Sequence, residues 1–329
     1  MRRFVVRFVV FAVLLGVIAG AALFWTYANY TRPGPLAVPS TLVIEAGNGL
    51  DAIAAQLEAA GIIDDKTVFA LGARAERAHT ALKAGEYEFE PRISPREVVA
   101  LLASGRTVVR RLTVPEGLTT HQVLAQIGRT EGLAGDIPEG LGEGTLLPET
   151  YHFSFGDGRA ELVRRMEAGM REALGELWPA RAAGLPLETP REAVILASIV
   201  ERETGRPDER PRVAAVFLNR LRRGMKLDAD PTVAYAVSDG TGVLDRALTR
   251  ADLAVDNPYN TYRYAGLPPA PIANPGRASL AAVLDPARTD DLFFVADGSG
   301  GHVFARTLEE HNRNVRDWRR IQRERAKQE

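Results

Sequence analysis

Hydrophobic and polar positions alternate in three distinct ways along this chain, and each predicts a different kind of element. Residues 8–25, FVVFAVLLGVIAGAALFW, are apolar without a break over 18 positions. At 1.5 Å per residue such a helix is about long enough to cross a hydrocarbon core of roughly 30 Å. Residues 50–61, LDAIAAQLEAAG, instead place Leu50, Ile53, Ala54 and Leu57 on one face, the stripe of an amphipathic helix that Gly61 stops. TLVIE at 41–45 and GEYEFE at 85–90 read as strands, and RLTVPEGLTTHQVLAQIG at 111–128 repeats the order of strand, glycine turn and helix. In SPREVVALLASG, Ser94 caps a helix, Pro95 opens it, Glu97 completes a capping box and Gly105 ends it.

Two stretches punctuate this pattern. TRPGPLAVPS at 31–40 predicts an extended tether, and the glycine-rich residues 129–145 predict a domain boundary. The expected organisation is an end at 1–7, an anchor at 8–30, a linker at 31–40, an α+β module at 41–140 and a mixed α+β domain at 141–329. The fold class is α+β behind a single transmembrane helix. The strand and helix order of 41–140 loosely resembles LysM-like modules, which bind cell-wall glycans. A spacer with no ligand is the competing reading.

Charge decides the topology. Arg2, Arg3 and Arg7 precede the apolar run, and Trp25, Tyr27 and Tyr30 follow it. Cytoplasmic loops favour Arg and Lys, and interfacial belts favour Trp and Tyr, so the N-terminus is expected in the cytoplasm and everything after Tyr30 outside. A cleaved signal peptide is the alternative, but its apolar region is usually about 7–15 residues long. The small residues Ala19, Ala21 and Ala22 also lie inside the run. Formal net charge is -1, from 41 basic and 42 acidic residues, which leaves no cationic excess for a nucleic acid. The chain has no cysteine, excluding disulfides and thiolate chemistry. Five histidines, among them His302 and His311, lack metal-site spacing, so neither metal nor cofactor is expected.

The chemistry is concentrated after residue 189. Thr189, Pro190 and Glu192 predict a capped helix running through ILASIVERET at 195–204, ended by Gly205 and Pro207. Glu201 then falls in the last turn, where the helix dipole and burial both raise a carboxyl pKa, as a general acid requires. Ser198 and Ala197 are its small neighbours and leave room beside it. Glu203 follows Ile199 and Leu196, company that suggests packing or an arginine partner. Asp230, Pro231 and Thr232 form a rigid polar turn, while Asn260, Thr261 and Tyr262 supply an amide, a hydroxyl and an aromatic face suited to sugar recognition. Turn chemistry alone would also explain these residues.

FLNRLRRGMKLDADPTVAY at 217–235, NPYNTYRYAGLPPAPIANP at 257–275, DLFFVADGSGGHVFARTLEEHNRN at 291–314 and EGTLLPETYHF at 143–153 accompany ILASIVERET. In order and spacing these blocks resemble the endolytic murein transglycosylases, the MltG or YceG-like family, over nearly the whole chain. Glu149, Leu147, Asp228 and Ala229 depart from the family pattern. The resemblance implies cleavage of the β-1,4 bond between N-acetylmuramic acid and N-acetylglucosamine in nascent peptidoglycan, leaving 1,6-anhydro ends and limiting strand length. It assigns the catalytic acid to Glu201; by the character of their own side chains, Ser198, Asp230, Thr232, Asn260, Thr261 and Tyr262 are the candidate substrate contacts. It also implies glycan strands, the inner membrane and peptidoglycan synthases as partners. A non-catalytic wall-binding scaffold for synthases is the second reading.

Overall fold

The computed structural model describes residues 2–325, so Met1 and 326–329, the ends of the expected cytoplasmic segment and catalytic domain, lie outside the described residues. The fold is mixed α+β behind one N-terminal apolar helix, α1 (Arg2–Thr31). By internal contacts the chain divides into two compact units. The first comprises residues up to Arg110 with His152–Gly156, and the second Arg111–Tyr151 with the chain from Asp157. This division falls after Arg110, where the glycine-rich stretch suggests 140/141.

In the first unit β1 (Ser40–Ile44), α2 (Leu50–Ala59), α3 (Lys66–Ala75), β2 (Gly85–Phe89) and α4 (Pro95–Ser104) follow α1. The two strands pair antiparallel, with Ser40 opposite Phe89 and Ile44 opposite Gly85. Helix α3 goes beyond the sequence prediction; the Asp65 side chain caps it by accepting from the Thr67 and Val68 amides. The predicted capping box at Ser94 and the left-handed stop at Gly105 are both present. Leu57, Phe69, Val98 and Leu102 close the core over Tyr87 and Phe89.

Segment 31–40 is not a loose tether. The Gly34 amide donates to the Arg92 and Ile93 carbonyls (3.1 and 3.2 Å), and Leu36 is buried. Any Cβ at Gly34 would clash with the Ile93 carbonyl. The Tyr30 ring is likewise buried against Gly72, where a Cβ would strike it. Pro33 and Pro35 lower the entropy lost in fixing this stretch, and glycine permits the close approach.

The middle of the chain supplies the paired strands β3 (Val109–Thr113) and β4 (Thr150–Ser154). Helices α5 (Thr120–Arg129), α6 (Arg159–Leu177), α7 (Pro190–Glu203), α8 (Arg210–Arg222), α9 (Asp230–Val237) and α10 (Arg277–Leu284) form the body of the second unit. The expected hairpin, β5 (Phe293–Ala296) with β6 (His302–Ala305), and α11 (Leu308–Arg325) complete it. Eight consecutive residues of α7, Ala193 to Val200, are buried, packed by α8 and α10. A helix covered all round cannot carry a polar stripe, which is why ILASIV has none. Its capping box is only half formed: Thr189 accepts from the Glu192 amide, but the Glu192 carboxylate reaches back to the Glu188 amide.

Candidate active site at the end of a buried helix

Helix α7 delivers Glu201 and Glu203 two residues apart, and at about 100° per residue they leave the helix on nearly opposite sides. The Glu201 side chain is 4% exposed and fully engaged. Its Oε1 accepts from Arg210 Nη2 at 3.0 Å and its Oε2 from the Gly276 amide at 2.9 Å. The same Arg210 nitrogen also donates to Glu116 Oε2 at 3.0 Å. Gly276 is the N-cap of α10, and a Cβ there would collide with the Glu116 carboxyl. Arg202 donates to the Gly117 carbonyl (3.1 Å), so the end of α7, the 116–117 turn and the start of α10 are stitched together. Burial, reinforced by the neighbouring Glu201 charge, raises the Glu116 carboxyl despite Arg210.

Glu203 has the opposite surroundings. Among the described residues its carboxyl has no hydrogen-bond or ion-pair partner. It remains partly accessible to solvent, yet packed protein around it pushes its pKa up to about 8, with the Asp230 charge adding to the rise and Arg220 opposing it. Arg220 is committed elsewhere: it donates to the Leu227 carbonyl (2.9 Å), the Leu292 carbonyl (2.7 Å) and Asp228 Oδ2 (3.0 Å). Asp228 itself sits at φ +51°, a left-handed conformation that bends the 224–229 loop toward Arg220. Asp230 opens α9 and accepts from the Tyr262 hydroxyl at 2.7 Å. Burial, and then that bond, raise the Tyr262 hydroxyl.

The two glutamates therefore exchange the surroundings expected of them. Glu201, favoured as the acid, is the one paired with an arginine; Glu203, expected to pack or to pair with an arginine, is the one whose pKa burial raises. Sequence spacing could not distinguish them because Arg210, Glu116 and Gly276 meet Glu201 only in the fold.

Of the other expected contacts, Asp230 and Tyr262 stand beside Glu203, whereas four residues serve the scaffold. Ser198 is fully buried; it donates to the Ile195 carbonyl and accepts from the Ile272 amide. The Thr232 and Thr261 hydroxyls are buried and bonded to each other (2.9 Å), and Thr261 also accepts from the Ala229 amide. Buried Asn260 donates to the Leu253 and Val255 carbonyls and accepts from the Tyr262 amide, so it shapes the turn that aims Tyr262. Direct substrate contact at these four gives way to positioning, because their polar atoms are spent inside. Glu143 and Asn274, inside quoted blocks but unremarked, are bonded to one another (3.3 Å). His302 is held by Glu209 (2.7 Å), and His311 stacks on Phe293.

The sequence profile of the YceG-like family matches residues 42–317. This chain belongs to the YceG-like family. It is similar to the endolytic murein transglycosylase of Streptococcus pneumoniae D39, 28% identical over 95% of this chain and 65% of that protein. To the endolytic murein transglycosylase of Bacillus subtilis it is 30% identical, over 82% of each. The crystal structure of a yceG-like protein from Listeria monocytogenes matches with a TM-score of 0.52 and 30% identity, covering 84% of this chain and 98% of that one. This YceG-like chain thus spans under two thirds of the pneumococcal relative's length. Helix α1, from Arg3 onward, is long and apolar enough to cross a membrane once.

Proposed function

We propose that this YceG-like protein is a membrane-anchored endolytic transglycosylase of nascent peptidoglycan in which Glu203 is the proton donor. The observation that carries this reading is the carboxyl of half-buried Glu203, without an ionic partner and raised to about 8, so that it holds its proton at neutral pH. Glu203 gives that proton to the glycosidic oxygen as the bond to C1 of N-acetylmuramic acid breaks and positive charge develops on the ring. The 6-hydroxyl of the same sugar then closes on C1, and its proton returns to the Glu203 carboxylate. No water is consumed. Asp230, aligned by Tyr262, supplies negative charge near the developing cation. Glu201 holds the site's frame through Arg210 and Gly276.

Arg3 and Arg7 before the apolar run and Trp25 and Tyr27 at its end support a cytoplasmic N-terminus, with the two units outside. The strand, helix, helix, strand order of the first unit, closed by the antiparallel β1–β2 pair, supports a LysM-like module. Attachment at the membrane favours strands still being polymerised as substrate and the synthases that make them as partners.

Asp230 also supports a second reading. A carboxylate beside the acid could activate water, as in hydrolases that use two acids. The full chain in detergent, incubated with uncrosslinked glycan strands, distinguishes these readings by mass spectrometry of the new ends. Anhydro ends are expected; reducing ends would make it a hydrolase, and binding without cleavage would leave the scaffold reading.

A further inference from the structure

A second acid in this unit, Glu143, is built in a way that the cleavage step does not explain. Its Oε1 is saturated: it accepts from the Thr120 amide (2.7 Å), the Thr120 hydroxyl (2.9 Å), Asn274 Nδ2 (3.3 Å) and the Gly144 amide (3.4 Å). Its Oε2 meets only the Tyr235 hydroxyl, at a long 3.4 Å. Asn274, fully buried, fixes the assembly by accepting from the Leu146 amide and donating to the Leu118 carbonyl. A carboxyl with one oxygen locked and the other nearly free is oriented toward something.

Glu143 and Tyr235 both line a cleft of about 540 Å³, whose other walls include Leu124, Ile137 and Pro138, with His121 at the rim. Apolar side chains set among polar ones, Thr120 and Glu139 besides Glu143 and Tyr235, suit a pyranose ring, which has a hydrophobic face and a polar edge. Placement ties the cleft to Glu203. Helix α9 carries Asp230 at one end and Tyr235 about 7.5 Å further along its axis. The same two residues meet one loop twice: Tyr262 bonds Asp230, and Tyr259 packs on the Tyr235 ring with centroids 4.9 Å apart. Burial raises the Glu143 carboxyl against the hydrogen bonds from Thr120, Gly144 and Tyr235.

We propose that this cleft is a saccharide subsite next to the cleavage centre, in which the free Glu143 oxygen and the Tyr235 hydroxyl hold the polar edge of one N-acetylated sugar of the strand. This rests on the glycan-cleaving reading, but the test separates the two. Calorimetry with the full chain in detergent, made inert by Glu203→Gln, measures binding of a β-1,4-linked N-acetylglucosamine hexasaccharide. Adding Glu143→Gln should weaken binding about tenfold, the effect of losing one charge-assisted bond. Because Glu143 also ties Thr120 to Asn274, His121→Arg provides an independent arm that plugs the cleft from its exposed rim and should weaken binding at least as much. Unchanged affinity in His121→Arg overturns the subsite even if wild-type protein makes anhydro ends. Lost affinity supports it even if no cleavage is detected. Affinity lost only for peptide-bearing strands, with the hexasaccharide bound as before, overturns the sugar assignment in favour of a peptide stem.

Discussion

Replacing Glu203 by Gln should cut cleavage by orders of magnitude and, against the usual effect of altering a half-buried group, stabilise the protein in alkali. A carboxyl raised from 4.5 to about 8 binds its proton more tightly in the folded chain than in the unfolded one. Stability from this group is therefore greatest below pH 4.5 and falls as pH rises through about 8. At about 1.4 kcal/mol per pH unit, the whole interval corresponds to an upper bound of about 5 kcal/mol at high pH. Solvent reaches part of the side chain, so roughly 2 kcal/mol is the expected size after screening. Gln is neutral at every pH and removes the penalty. At about 2–4 °C per kcal/mol for a unit of this size, the variant should melt about 4–8 °C above wild type at pH 9 and within a degree or so at pH 4. Anhydro-end formation, followed by mass spectrometry, should fall by about 10²–10⁴. A variant with equal melting temperatures at both pH values and retained cleavage would refute the assignment and return the acid role to Glu201.

Three further outcomes follow from the same geometry. Glu201→Gln should leave cleavage detectable at low temperature but destabilise by about 1–3 kcal/mol in urea titration, because Arg210 keeps only Glu116 as an ionic partner. Asp230→Asn removes the charge that helps raise Glu203, so the alkaline limb of the pH–rate profile should move to lower pH; a limb that stays in place or moves up would mean that Asp230 does not act on the acid. Gly72→Ala should displace the Tyr30 ring and expose Leu36 and Gly34 to faster amide exchange, while anhydro-end formation by the second unit on soluble strands continues.

Much of the architecture could be read from local chemistry. The apolar run, the Ser94 box with its Gly105 stop, the 291–305 hairpin and the burial of ILASIV each depend on residues close in sequence. Helix α3 was not legible, because KTVFALGARA has no clear polar break and its start depends on the Asp65 cap. The site was half legible. The blocks that carry Asp230 and Tyr262 were recognisable, but the contrast between the surroundings of Glu201 and Glu203 was not. It is set by Arg210, Glu116 and the Gly276 amide, which lie 9, 85 and 75 positions from Glu201. Nor could residue type alone reveal that Ser198, Thr232, Asn260 and Thr261 spend their polar atoms on their own scaffold. Short polar side chains look alike whether they face a ligand or a buried amide.

The seating of Tyr30 on Gly72 and of Gly34 on the Ile93 carbonyl changes what kind of device the anchor is. A 30-residue helix is about 45 Å long, some 15 Å more than the hydrocarbon it would cross. With its last turn clamped, the part of that surplus beyond Trp25, about 9 Å, acts as a post rather than a leash. The first unit would stand at a set height above the lipid it is tied to. Adding or removing a helical turn between Trp25 and Tyr30 would reset that height.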